Sequence, residues 1–167
     1  MLVIFLVVIL GIDFINYVNN YFMEYEPLPI ISKDFPKVVI PLIDSALTSL
    51  DIIVYDWRFY KNDLNCSVSL FNQAIARACA RGIKVRCLVQ NAGVVNILKS
   101  MGCNARLINS KRTLHTKLLI VDGFRVVLGS HNYTQSAFDS NYEASIFVTL
   151  DNINNTLVQY FNNLFGL

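Results

Sequence analysis

The apolar side chains of this sequence recur with two alternating periods. Spacings of three and four residues, which line one face of a helix, define helical segments at 38–50 with a start near Pro41, 66–81, 91–101, and a last one that Asp151 caps. Short runs rich in β-branched residues predict strands. The strand segments are 51–57, 83–89, 105–108, 114–121, 124–128 and 142–150.

The order of these segments indicates the fold class. Strands and helices alternate through the first half, and adjacent strands follow, two of them joined at the turn signal Asp122-Gly123. This order predicts an α/β fold, a sandwich in which helices cover a mixed central β-sheet.

The N-terminus is unusually apolar and stands apart from this pattern. Residues 1–12 carry no polar side chain, but Asp13 and Asn16 interrupt the run before the roughly 20 residues that a bilayer span needs. We expect residues 1–24 to be a hydrophobic signal or membrane anchor, with membrane association through residues 1–23, and 25–167 to be one domain. A buried packing helix is the alternative. An anchor or signal predicts a membrane-associated or exported protein, and a cytoplasmic protein is the other possibility.

Positive charge is concentrated in the middle of the chain. The formal net charge is only +2, yet no acidic residue occurs between Asp63 and Asp122. Besides Lys117, the cations in this stretch are Arg77, Arg81, Lys84, Arg86, Lys99, Arg106, Lys111 and Arg112. They predict a surface of positive potential suited to polyanions or anionic lipid headgroups, with an ordinary solvated face as the alternative.

Candidate chemistry lies in the predicted strand 114–121. Side chains two residues apart share a face of a strand, so His115 and Lys117 should emerge together from an apolar run. The same rule places Ser130 and Asn132 on one face and His131 on the other. His131 should therefore lie outside the site.

These side chains suit attack on phosphorus. Imidazole is a nucleophile or base, and an ammonium and an amide can stabilise charge on the non-bridging oxygens. A carboxylate such as Glu143 can hold an imidazole N–H. Acidic residues are sparse and scattered, so the sequence predicts neither a two-metal centre nor any cofactor.

Together the residues resemble a family signature. His115-x-Lys117-x4-Asp122, followed after six residues by Gly129-Ser130-x-Asn132, is similar to the motif of the phospholipase D superfamily. The resemblance covers most of the chain after about residue 38 and implies the α-β-α sandwich of that family. It is strongest to compact one-motif members, which include bacterial endonucleases and a mitochondrial-surface member linked to small-RNA processing or cardiolipin cleavage.

The resemblance also implies residue roles. His115 would attack phosphorus to form a phosphohistidine, while Lys117 and Asn132 bind the phosphate. Glu143 would orient an imidazole and Ser130 support the site, whereas the role of Asp122 would be more structural than chemical. The leaving oxygen needs an acid opposite the nucleophile, which we expect to be His115 of a second chain, in a homodimer with one shared site.

A nuclease is the function that the sequence favours. A short one-motif chain has little extra sequence for a lipid-tail pocket, and the basic middle third, with Lys111 and Arg112 as further substrate contacts, supports binding of DNA or RNA. The alternative is a phospholipase D-type hydrolase of cardiolipin or other phospholipids. A binding module without turnover is disfavoured because no motif residue is missing.

Overall fold

The computed structural model describes residues 26–150 and 156–166. The helices are α1 (Phe35–Asp44), α2 (Ser67–Ala80), α3 (Ala92–Ser100), α4 (Gln135–Asp139) and α5 (Thr156–Phe165), with a 3-10 turn at Ser32–Asp34. The strands are β1 (Leu28–Ile31), β2 (Ser49–Val54), β3 (Lys84–Val89), β4 (Asn104–Leu107), β5 (Leu118–Val121), β6 (Arg125–Gly129) and β7 (Ala144–Thr149).

The strands form a seven-stranded sheet in the order β1-β7-β6-β5-β2-β3-β4. β2, β3 and β4 run parallel to one another, whereas β5 is antiparallel to β2 and the remaining pairs are antiparallel. The predicted α/β class with a mixed central sheet is confirmed.

Two clusters of buried hydrophobic residues cover the sheet, one on each face. Leu119 and Val121 of β5 pack with α1 to α4 on one face, while Leu118 and Ile120 pack with Phe161 and Phe165 of α5 on the other. This division follows from the alternation of side chains along a strand. The described residues therefore form three layers, with helices on both faces of the sheet.

The first helix differs from the prediction at both ends. It begins at Phe35, with Pro36 in its first turn, and Pro41 lies inside it. The backbone N–H groups of the first turn have no partner within the helix, so a proline, which lacks this group, is tolerated there. Pro36 is therefore a better indicator of the helix start than Pro41. The helix ends at Asp44 rather than at residue 50, and Leu50 instead lies in β2, where it is fully buried.

The N-terminal segment 1–24 and the cap Asp151 lie outside the described residues. No helix within residues 26–150 and 156–166 is long and apolar enough to cross a membrane. This finding corrects the expectation that the protein is membrane-associated or exported.

His131 is a core residue rather than a surface group. Its ring stacks on Phe35 with the centroids 4.3 Å apart, and the side chain is fully buried. Nε2 lies 3.0 Å from the Ser32 carbonyl oxygen and Nδ1 2.7 Å from Ser145 Oγ. The carbonyl only accepts, so Nε2 donates and Nδ1 accepts in the neutral imidazole. Burial lowers the pKa of His131, which keeps it neutral.

This burial predicts that stability depends on pH. The unfolded state binds the His131 proton below the ordinary pKa of about 6.5, whereas the folded state resists it. The stabilisation is thus complete above that pH and is lost as the pH falls toward the lower pKa of the folded state. We expect the free energy of unfolding, measured with urea, to be lower at pH 5.5 than at pH 6.5, by at most about 1 kcal/mol for this one group.

The matched variant is His131→Gln, which replaces the buried imidazole with an amide that does not titrate. It should be less stable than the wild type at pH 7.5, and its stability should change less between pH 6.5 and 5.5. An equal pH slope in both proteins would contradict this role for His131.

Candidate active site

The sheet topology brings the motif residues to one edge. β5 runs antiparallel to both β2 and β6, with Leu118 paired to Ile53 and to Leu128. The start of β5 therefore lies beside the end of β2 and the end of β6. β7 is antiparallel to β6, with Gly129 opposite Ser145, so its start is at the same edge. The segments 55–56, 115–117, 130–132 and 143 follow or precede these strand ends.

His115 and Lys117 lie next to each other at this edge. The Lys117 ammonium Nζ lies 3.4 Å from each ring nitrogen of His115 and donates to the His115 carbonyl oxygen at 2.8 Å. Strand β5 begins only at Leu118, so the observed strand is shorter at its start than the predicted strand 114–121. The predicted juxtaposition of the two side chains nevertheless holds.

The two groups differ in exposure. His115 is exposed, whereas Lys117 is only 7% exposed. Burial lowers the pKa of Lys117, and the Glu143 carboxylate acts in the opposite direction. A cation held at a fixed place beneath an open imidazole can stabilise a phosphate that the imidazole attacks, without rearranging during the reaction.

Ser130 and Glu143 form a second pair. The Ser130 hydroxyl donates to a Glu143 carboxylate oxygen and accepts from the Ala144 backbone N–H at 3.1 Å. Asn141 Nδ2 donates to the other Glu143 oxygen at 3.1 Å. These bonds fix the carboxylate at the site edge, where it acts on Lys117 through its charge.

Asn132 is held by the end of β2. Its Oδ1 accepts from the Asp56 backbone N–H at 3.2 Å. This bond orients the amide and leaves its NH₂ group, the donor of the side chain, for a phosphate oxygen.

Asp122 lies at the opposite end of β5 from His115. Its carboxylate accepts from the backbone N–H groups of Leu47, Thr48 and Ser49 and pairs with Arg125. Burial raises its pKa, but these hydrogen bonds outweigh burial and the pKa is lowered. The residue has φ +55° next to Gly123 at +80°, as a tight turn requires. The structure therefore does not bring Asp122 together with His115.

Three of the eight predicted basic residues form ion pairs with carboxylates. Arg77 and Arg81 pair with Asp44, and Arg86 pairs with Asp51. Lys111 and Arg112, in contrast, form no ion pair within the described part of the chain and are exposed in the segment just before His115. Five of the eight predicted cations are thus without an ion pair in the described residues, and two of these five are close in sequence to His115.

Two aromatic residues at the site were not predicted from the sequence. The Tyr55 ring follows β2 with its centroid 5.9 Å from that of His115. Tyr160 of α5 shares a hydrogen bond of 2.9 Å with Thr116 Oγ1 and so ties the last helix to the motif. The position of Tyr55 at the end of a buried strand was a signal, but only the pairing of β2 with β5 places it beside His115.

The residues described here contain no group of three or more His, Cys, Asp and Glu side chains that could hold a metal ion. The cysteines at positions 66, 79, 87 and 103 are free thiols at buried or half-buried positions. They lie in or beside α2, α3 and β3 rather than among the motif residues.

Solved structures share this fold. Nuc, a phospholipase D family member from Salmonella typhimurium, superposes with a TM-score of 0.70 over 84% of this chain and 95% of its own, at 20% identity. NucT from Helicobacter pylori gives 0.64 over 86% and 97%, at 21% identity. Phosphatidylserine synthase from Haemophilus influenzae gives 0.66 over 84% and 38%, at 15% identity. Similarity at such identities shows the fold alone.

Sequence comparison gives the family. Mitochondrial cardiolipin hydrolase from Xenopus laevis is 29% identical over 137 residues, which are 76% of this chain and 58% of that protein. The chain thus spans little more than half the length of that relative. The family described as "Cardiolipin synthase, PLD-like domain" matches residues 39–165, which include every motif residue. With this match and the shared fold, the chain belongs to the phospholipase D superfamily.

Proposed function

We propose that the protein is a metal-independent phosphodiesterase that cleaves DNA or RNA through a phosphohistidine on His115. The observation that supports it most is the buried Lys117 ammonium, 3.4 Å from an exposed imidazole. A ring nitrogen of His115 attacks phosphorus, an N–P bond forms, and the bond from phosphorus to the leaving oxygen breaks. Lys117 and the Asn132 NH₂ group stabilise the charge on the non-bridging oxygens.

The leaving oxygen must receive a proton, and water must then lose one as it attacks the phosphohistidine. The chain has two histidines, and the fully buried His131 does not face the site. We assign the proton transfer to His115 of a second chain, with Glu143 holding that imidazole. In the second step water attacks phosphorus, its proton goes to this same imidazole, and the N–P bond breaks.

Nucleic acid is the proposed substrate because of the exposed cations Lys111 and Arg112, close in sequence to His115. Contacts to phosphates supply most of the affinity of proteins for nucleic acids. A polyanion with regularly spaced phosphates can contact these cations while one phosphate lies at His115.

Phospholipid hydrolysis is the second candidate. It is favoured by the relative named as a cardiolipin hydrolase and by an apolar cavity of about 370 Å³. Phe59, Leu64, Ile97 and Met101 are among the residues that line the cavity, which could take an acyl chain. None of the motif residues lines it.

The test is cleavage by the full chain in excess EDTA. Labelled single- and double-stranded DNA and RNA are compared with cardiolipin vesicles, and His115→Ala is the control, checked for folding by circular dichroism. We expect cleavage of a nucleic acid that is at least about 1000-fold slower in the variant. Nucleic-acid binding should weaken steeply with salt. Hydrolysis of cardiolipin alone would replace the first proposal with the second.

A further inference from the structure

A second recognition feature lies beside the candidate site. Tyr55 is 42% exposed, and the centroid of its ring is 5.9 Å from that of the His115 ring and 5.9 Å from Lys117 Nζ. Exposed aromatic rings are platforms on which the bases of single strands stack. A group bonded to a phosphate at His115 is therefore within reach of this ring.

A polar cavity of about 390 Å³ opens next to Tyr55. It is lined by Tyr55, Asp56, Arg58, Gln90, Asn91 and Ala92. These residues follow the ends of the parallel strands β2 and β3, where ligands bind in open α/β sheets. The volume is within the range of roughly 300 to 1000 Å³ that is typical of small-ligand sites.

The polar groups of the cavity are held in place by other bonds. Gln90 Oε1 accepts from the Leu114 backbone N–H at 2.7 Å, and Asn91 Oδ1 accepts from the Gly93 N–H at 2.8 Å. Each amide therefore keeps its NH₂ group for a ligand. Asp56 and Arg58 pair at 2.8 Å and add an acceptor and a donor.

These features favour a base over an acyl chain. Amide side chains bind the edges of unpaired bases, and an aromatic ring binds their faces. An acyl chain would instead displace the water bound to these polar groups and could not form hydrogen bonds with them, which is unfavourable.

We propose that Tyr55 and this cavity bind the base of a nucleotide adjoining the scissile phosphate, in a substrate that is single-stranded at that position. A base inside a duplex has both faces stacked and its pairing edge occupied, so it can reach the cavity only after leaving the helix. The inference rests on the proposed nuclease function and defines its substrate as single-stranded nucleic acid.

The test combines a substrate change with a protein change. The substrates are single-stranded oligonucleotides that can be cleaved at only one phosphodiester bond. One version has every base, and the other has abasic positions on either side of that bond. For the wild type, removal of the base should lower kcat/KM by about ten- to a hundredfold. Tyr55→Ala should show a comparable loss on the complete oligonucleotide and little further loss on the abasic one.

Two variants serve as controls. Tyr55→Phe keeps the ring and should keep the dependence on the base. Phe124→Ala removes an aromatic residue of similar exposure, 39%, in the turn at the other end of β5 and should leave that dependence unchanged. Equal sensitivity of wild type and Tyr55→Ala to removal of the base would overturn the proposal, because a structural effect of Tyr55→Ala would not cancel the base dependence.

Equilibrium binding separates this inference from the proposed catalysis. The same oligonucleotides are titrated into the wild type, Tyr55→Ala and Tyr55→Phe. If nothing is cleaved but binding depends on both the base and the Tyr55 ring, the base site stands and the nuclease function fails. If the oligonucleotides are cleaved but neither binding nor kcat/KM depends on the base, the nuclease function stands and the base site is refuted.

Discussion

Dimers that combine one wild-type chain with one His115→Ala chain should cleave no phosphodiester bond. His115 is the exposed imidazole at the site edge, and the other histidine of the sequence is fully buried against Phe35. One chain therefore supplies a nucleophile without a second imidazole for the leaving oxygen. Since the two histidines of a shared site have different roles, loss of either one should abolish turnover.

Heterodimers can be isolated directly, with different affinity tags on the two chains. Random mixing gives a second measure: with nine variant chains for each wild-type chain, about one wild-type chain in ten retains a wild-type partner. Activity per wild-type chain should then fall to about one-tenth. Unchanged activity per wild-type chain would contradict a shared site and would point to an acid within one chain, such as the buried Lys117.

The periodic parts of the fold were predictable from the sequence. The helix at Ser67–Ala80 and the strand at Lys84–Val89 agree closely with their apolar patterns, and Asn91 caps α3 by accepting from Gly93, as predicted. These elements bury one continuous face, and that burial is what hydrophobic spacing reports.

The short elements were not predictable in this way. β1, with four residues, pairs antiparallel with β7, and α4 has only five residues. Both owe their structure to partners distant in sequence, since strand pairing and packing, rather than local periodicity, stabilise such short segments.

The site shows the same division. The spacing of His115 and Lys117 predicted that their side chains lie together, because two residues separated by one other are close in space whatever the rest of the fold does. The Asp56 contact to Asn132 and the place of Tyr55 depend on β2 lying beside β5, a pairing over about 70 residues of chain. Sequence spacing alone carries no information about such a pairing.

Gly129→Ala should be the most destabilising single substitution at the motif. A Cβ at this position would collide with Ser145 Oγ, Ser145 Cα and the Ala144 carbonyl oxygen. Gly129 lies where β6 meets β7, and its N–H donates to the Lys117 carbonyl at 3.3 Å. A side chain would force the two strands apart, so we expect a loss of about 3 kcal/mol or more in the free energy of unfolding.

Gly82→Ala is the matched control. Gly82 has φ +83°, and no heavy atom lies within 4 Å of an added Cβ. Its substitution should therefore lower the free energy of unfolding by only about 1 to 2 kcal/mol, which is the cost of holding an alanine in the left-handed conformation. Urea unfolding of both variants compares the two costs, and equal stability would contradict the collision at Gly129.

The collision at Gly129 is largely with backbone, so removal of the neighbouring side chain should not relieve it. In Gly129→Ala combined with Ser145→Gly, the Ser145 hydroxyl is gone but the Cα and the Ala144 carbonyl remain. The second change also removes the hydroxyl that binds His131 Nδ1 at 2.7 Å. The double variant should thus be no more stable than Gly129→Ala. Recovery to wild-type stability would show that only the hydroxyl requires glycine, and that β6 and β7 could otherwise accept a methyl group between them.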